Sequence, residues 1–216
     1  MRSLNKLQSP DILSQNADIW LNDWLNDKNN TTKKYRYREK EIKEVLRIET
    51  SNKCIYCESI VGHNTPGDIE HIIPSSLKPT EHFNWQNLSI ACTECNRRKN
   101  NYYTSEKPFL NPYLDHPIEE LVIHYGPIVV WLPNNDRSEI TVKTLELNTK
   151  ARIQLVINKI QKINEFKEIA ERYIRENNLL LKEILHKQII SMTNKSSEYS
   201  GMILQILEKE YPEILL

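Results

Sequence analysis

All four cysteines of the 216-residue chain fall into two C-x-x-C pairs, Cys54 with Cys57 and Cys92 with Cys95, and none is left over. That spacing lets four thiolates close a single tetrahedral zinc site. Two other uses of paired cysteines compete with zinc. Disulfides need an oxidising compartment, and a redox C-x-x-C normally stands singly in a thioredoxin-like pattern. The pairs lie further apart than in a compact zinc ribbon, so a zinc clip here must enclose a substantial piece of chain. That piece contains DIEHIIP, residues 68 to 74.

In this stretch Asp68, Glu70 and His71 gather three ionisable groups before the β-formers Ile72 and Ile73, and Pro74 stops the predicted strand. A carboxylate beside an imidazole suits metal-assisted hydrolysis: Glu70 offers a hard oxygen to Mg²⁺, and neutral His71 can take a proton from water. The blander reading of His71 is an ordinary half-buried histidine. Downstream, Thr93 is expected to cap a helix running to about Tyr103, with Asn96, Lys99, Asn100 and Tyr103 on one face. Asn96 then faces the strand while Arg97, Arg98 and Lys99 meet phosphate. The competing reading of NRRKNN is a solvated basic face.

CxxC, D-x-E-H-I-x-P, a central Asn and C-x-x-C-N-x-x-K together resemble the ββα-metal site of HNH endonucleases, over residues 54 to about 103. Carried over by position, the resemblance implies His71 as general base and Glu70 and Asn96 as ligands of a catalytic Mg²⁺ or Mn²⁺. Asp68 becomes a further metal or water contact. Asn87 becomes the middle Asn, its amide bonding loop backbone to hold the His71 hairpin in shape; the alternative for Asn87 is a plain turn or cap residue. Cys54, Cys57, Cys92 and Cys95 hold a structural zinc, which so small a unit needs because it cannot bury enough core. Two letters depart from the commoner pattern: the first ligand is more often Asp or His than Glu, and the last is often His rather than Asn. His71 would deprotonate water for in-line attack on phosphorus, with the divalent ion stabilising the departing 3′ oxygen.

Formal net charge is zero, which argues against indiscriminate binding of nucleic acid by the whole surface. The charge is uneven, however. Residues 33 to 47 hold seven basic and three acidic side chains with two tyrosines interleaved. Lys33, Lys34 and Arg36 there are candidates for phosphate contact together with Arg97, Arg98 and Lys99. A solvated helix with pairs such as Lys40 to Glu44 is the bland alternative. His63, His82, His116, His124 and His186 fit no ligand spacing and are assigned no chemistry. No apolar run approaches the ~20 residues of a membrane helix and the N-terminus lacks a signal-peptide core, so with reduced thiols a cytoplasmic location is expected.

Organisation along the chain predicts an α+β fold: an HNH core with an N-terminal helical arm, a short β segment and a C-terminal helical layer. The expected units are 1–34, 35–112, 113–148 and 149–216. In the arm, Ile19, Trp20 and Trp24 have helical spacing and lie on a core face or a partner-docking face. A helix is expected over 35–51. LVIHY and IVVWL around Gly126 and Pro127 predict a hairpin, with EITVKTLEL at 139–147 as a further strand. Asn148 is expected to cap a long helix whose stripe is Ile153, Val156, Ile157, Ile160, Ile163, Ile169 and Tyr173, running to about Glu176. Two more helices follow, carrying Leu181, Ile184, Leu185 and Ile189, then Ile203, Ile206 and Leu207.

This layout, with an internal HNH unit, a TLELN segment at 144–148 and a helical tail, resembles the PtuB family, the HNH subunits of Septu antiphage systems. The resemblance implies a PtuA-like ABC-type ATPase as partner, in some systems with a retron. No Walker P-loop is present in the sequence, so ATP dependence would come from that partner. DNA is favoured as the substrate, with RNA, tRNA included, as the alternative; water attack on phosphorus needs no 2′-hydroxyl, so the chemistry itself serves either polymer. A reading of another class is a non-catalytic zinc module that binds nucleic acid or protein.

Overall fold

The computed structural model describes residues 1–62, 66–116, 121–124 and 129–215, the side chains of residues 122 and 124 excepted. Two antiparallel strands, β1 (Asp68–His71) and β2 (Leu88–Ala91), form the centre, in the register Asp68 to Ala91 and His71 to Leu88. β2 is buried along its whole length, its one polar side chain, Ser89, being bonded to the Tyr113 hydroxyl at 2.6 Å. The Cys54–Cys57 knuckle docks on its outer edge, where Ile55 N–H donates to Ile90 O at 3.1 Å.

Helix α4 (Thr93–Lys99) follows β2 after a single residue. Thr93 does not cap it. The Cys92 sulfur takes that role, accepting from Cys95 N–H at 3.4 Å. The helix also stops four residues short of Tyr103, because Asn100, at φ 47° and ψ −127°, takes the backbone out of the helical region.

The N-terminal arm is α1 (Asp11–Leu25), with a short α2 (Thr31–Lys34) after it. Trp24 is buried against His82, ring centroids 4.2 Å apart, and Trp20 meets Phe83 edge-on at 5.7 Å. These tryptophans therefore pack onto the core beside the β1–β2 hairpin loop; Ile19 alone of the three is exposed. The single helix expected over 35–51 is broken. A 3-10 turn (Tyr35–Arg38) and α3 (Lys40–Glu49) are separated at Glu39, whose ψ of 141° is extended. The break turns Tyr37 inward while α3 buries Ile42 and Leu46.

β3 (Leu121–His124) pairs antiparallel with β4 (Val130–Pro133), as the flanking apolar segments predicted. Gly126 and Pro127, expected in the turn, lie outside the described residues, as do His63 and the side chain of His124. The further strand expected at 139–147 is instead helical. An Asn135/Ser138 capping box starts α5 (Asp136–Thr144), and Ser138, Thr141 and Val142 bury one helical face. Asn148 is not a helix cap either: its amide clasps Trp131, accepting from the backbone N–H and donating to the carbonyl, both at 2.8 Å.

The C-terminal layer consists of α6 (Ile153–Arg175), α7 (Leu179–Thr193) and α8 (Ser200–Glu210). The buried stripe of α6 is Leu155, Val156, Lys159, Ile163, Phe166 and Ala170, rotated from the predicted one, with Ile153 and Ile157 exposed. Asn178 caps α7 by accepting from Leu180 and Leu181 N–H. On α7 Leu185 and Ile189 are buried as predicted, while Leu181 and Ile184 remain exposed. Among the described residues no helix is long and apolar enough to cross a membrane.

Candidate active site

The four cysteine sulfurs lie within 4.8 Å of one another, and none is in a disulfide. Cys57 and Cys92 Sγ are 3.8 Å apart, the separation that Zn–S bonds of ~2.3 Å produce at a tetrahedral centre. The donor set therefore fits zinc. The knuckle also reaches the strand: Tyr56 hydroxyl donates to Glu70 Oε1 at 3.1 Å.

On β1 His71 lines a cleft of about 850 Å³. Its Nε2 lies 2.9 Å from the His82 carbonyl. A carbonyl only accepts, so Nε2 carries the hydrogen and Nδ1 keeps the lone pair. The His71 ring is stacked on His82, centroids 4.8 Å apart and planes 5° apart, while Tyr37 sits edge-on to both. His82 is held in turn: its Nε2 donates to Lys34 O at 2.7 Å and its Nδ1 accepts from Ser75 hydroxyl at 2.6 Å. Burial lowers the pKa of both rings, and that of His71 is pushed down to about 3, with His82 adding to the effect.

The sign of the linkage follows. The unfolded chain takes up a proton at His71 near pH ~6.5 that the folded chain refuses, so this contribution to stability is complete above that pH. It is lost as pH falls from about 6.5 toward 3. Nitrogen-detected NMR at pH 5 is accordingly expected to show His71 neutral, protonated at Nε2. A charged ring there would overturn this assignment.

Glu70 is 2 % exposed and meets Lys99 Nζ at 2.6 Å. Burial pushes its carboxyl up and the Lys99 ammonium pulls it back. Lys99 also donates to His71 O at 2.8 Å, so one buried ammonium ties α4 to both residues of the Glu-His pair. This corrects the assignment of Lys99 to phosphate contact: the ammonium is 3 % exposed and already satisfied. Arg98 is likewise turned away, bonded to Glu94 and Glu146. Lys33 pairs with Asp27 and Arg36 with Asp23. Arg97 pairs with Glu94 but stays largely exposed beside the cleft, and Lys34 lines it too. Arg38 and Lys43, which sequence reasoning did not single out, also line it.

Asn87 is buried and clasps the loop after β1. Its Oδ1 accepts from Ile73 N–H at 2.7 Å, and its Nδ2 donates to Ile73 O and Glu81 O at 2.9 and 3.0 Å. Asp68 and Asn96 both line the cleft, and neither side chain makes a hydrogen bond or ion pair among the described residues. Sequence reasoning missed His82 outright. Nothing in the spacing of HFNWQN marks it, because its role depends on a stacking partner eleven residues away.

Residues 54–102, the segment holding the zinc cysteines, both strands and α4, match the family model for HNH endonucleases. The chain carries an HNH endonuclease domain. Beyond it, the chain is 28% identical over 178 residues to the Septu protein PtuB of Bacillus thuringiensis, a match covering 77% of this chain and 68% of that protein. It is 26% identical over 144 residues to the Septu protein PtuB of Bacillus mycoides, covering 53% of this chain and about half, 49%, of that relative. The HNH domain therefore sits inside a wider similarity that reaches into the flanking helices, and it supports a nuclease role.

Proposed function

We propose that this chain is a metal-dependent endonuclease that hydrolyses nucleic-acid phosphodiesters, DNA in the first place. We further propose that it acts in an antiphage defence complex under the control of a PtuA-like ABC-type ATPase. The observation that carries the catalytic part is His71: a neutral imidazole, its tautomer fixed by the His82 carbonyl, standing on the wall of a cleft with basic groups around it. The similarity to Septu proteins supports the defence role.

Two carboxylates and a carboxamide oxygen form a hard donor set that suits Mg²⁺ or Mn²⁺. Asp68 and Asn96, with uncommitted polar ends, would hold that ion, and Glu70 would complete the set through the oxygen not engaged by Lys99 and Tyr56. When bound, the ion supplies charge stabilisation for the departing oxygen. The chain's own groups do the rest. His71 Nδ1 accepts the proton of water, and the fixed Nε2–H···O bond keeps that nitrogen aimed while charge develops on the ring. Asn87 keeps the loop after β1 in register, and Arg38, Lys43 and Arg97 offer positive charge to the phosphate backbone.

The test is cleavage of plasmid DNA and total RNA by the purified chain, with and without the ATPase, in Mg²⁺ or EDTA, beside His71→Ala. Cleavage that needs the metal and falls by about 10²- to 10⁴-fold in the variant is expected. Cleavage unchanged in His71→Ala sinks the assignment. Survival of both polymers with partner and metal present favours a zinc module that only binds.

A further inference from the structure

Four thiolates around one divalent zinc leave two negative charges uncompensated in a mostly buried cage, a costly arrangement unless cations lie nearby. The charge is met from outside the HNH domain. Arg152 ends the 3-10 turn Lys150–Arg152 that leads into α6, and it is 8 % exposed. Its Nη1 is 3.1 Å from Cys95 Sγ and 3.3 Å from Leu145 O, and its Nη2 is 3.8 Å from Cys92 Sγ. Among the described residues Arg152 does not pair with a carboxylate. For a buried cation that is unusual, since such charges are normally paired.

We propose that Arg152 is a positioning residue of the zinc site: its guanidinium fork holds the Cys92 and Cys95 thiolates and offsets their charge. Arginine suits this task because it stays charged and presents paired donors. The helical layer thereby contributes a residue to the metal site, and zinc retention depends on that guanidinium. The C-terminal third, which by sequence carries no chemistry, acquires a defined role independent of the nuclease reading.

The experiment follows zinc transfer from the zinc-loaded full chain to 4-(2-pyridylazo)resorcinol, in wild type, Arg152→Met, Arg152→Lys and Leu155→Ala. Outer partners of metal ligands typically change metal affinity by about 10- to 100-fold. A release faster by that order is expected for Arg152→Met. Arg152→Lys keeps the charge with a single donor head and should fall between it and wild type. Leu155→Ala loosens the same helix without removing a sulfur contact and should stay near wild type. Release from Arg152→Met at the wild-type rate, or no faster than from Leu155→Ala, overturns the proposal. If Arg152→Met does not fold, Arg152→Lys against Leu155→Ala decides on the same terms.

Discussion

Stripping zinc from the full chain with a chelator, or replacing Cys57 by Ser, is expected to unfold the HNH domain rather than merely loosen it. The reason lies in its dimensions. Two strands of four residues and a helix of seven cannot sustain a fold by burial alone. A structural Cys₄ zinc contributes on the order of 10–16 kcal/mol, comparable with the whole stability of ordinary domains at ~5–15 kcal/mol. The damage should spread. Cys54 and Cys57 bracket Tyr56, whose hydroxyl reaches Glu70, and Ile55 hydrogen-bonds β2, so loss of the knuckle removes a hydrogen bond from Glu70 and one from the strand behind it. Circular dichroism melts with metal content measured in parallel test this. A chelated, zinc-free chain that melts at the untreated temperature would rule it out.

Lys99→Met should cost about 3–5 kcal/mol of stability, because it leaves the Glu70 carboxylate buried without its countercharge. It also removes the bond to the His71 carbonyl that couples α4 to β1. Adding Glu70→Gln to Lys99→Met is expected to recover much of the loss, since the remaining buried group no longer carries a charge. Urea unfolding of the two single variants and the double variant measures the coupling. A surface lysine serving phosphate would give the opposite pattern, with stability within about 0.5 kcal/mol of wild type and the effect confined to binding. Single-variant losses that simply add would mean that the two side chains do not act as a buried pair.

Much of the site was legible because its information is local. Two C-x-x-C pairs specify one tetrahedral centre wherever the chain between them runs, and the DIEH strand was visible too, although it ends at His71 rather than running through Ile73 to Pro74. The helix after Cys92 was equally visible, but its cap and its end were not. A zinc-side thiolate outcompeted Thr93, and Asn100 turned the backbone early. At 139–147 alternation favoured a strand, yet the capping box at Asn135 and Ser138 set a helical phase that the alternating residues then followed. On α6 the buried stripe was displaced because two of the positions facing the core, Lys159 and Ala170, are invisible to a search for aliphatic spacing.

The sequence by itself determined the four-cysteine cluster and the Glu-His strand, since each rests on motifs whose residues lie a few positions apart, while the role of Asn87 came from the family resemblance. Tertiary structure decided which charges remain free for a substrate and which are spent inside. Lys99 goes to Glu70, Arg98 to Glu146 and Arg152 to the cysteine sulfurs, each across 28 or more positions of chain. It also placed His82 beneath His71 and both tryptophans of the arm against the loop that carries it. The physical reason is that a long basic side chain has the same composition whether it faces water or a buried anion. Only the packing of distant elements fixes which of the two has the lower free energy.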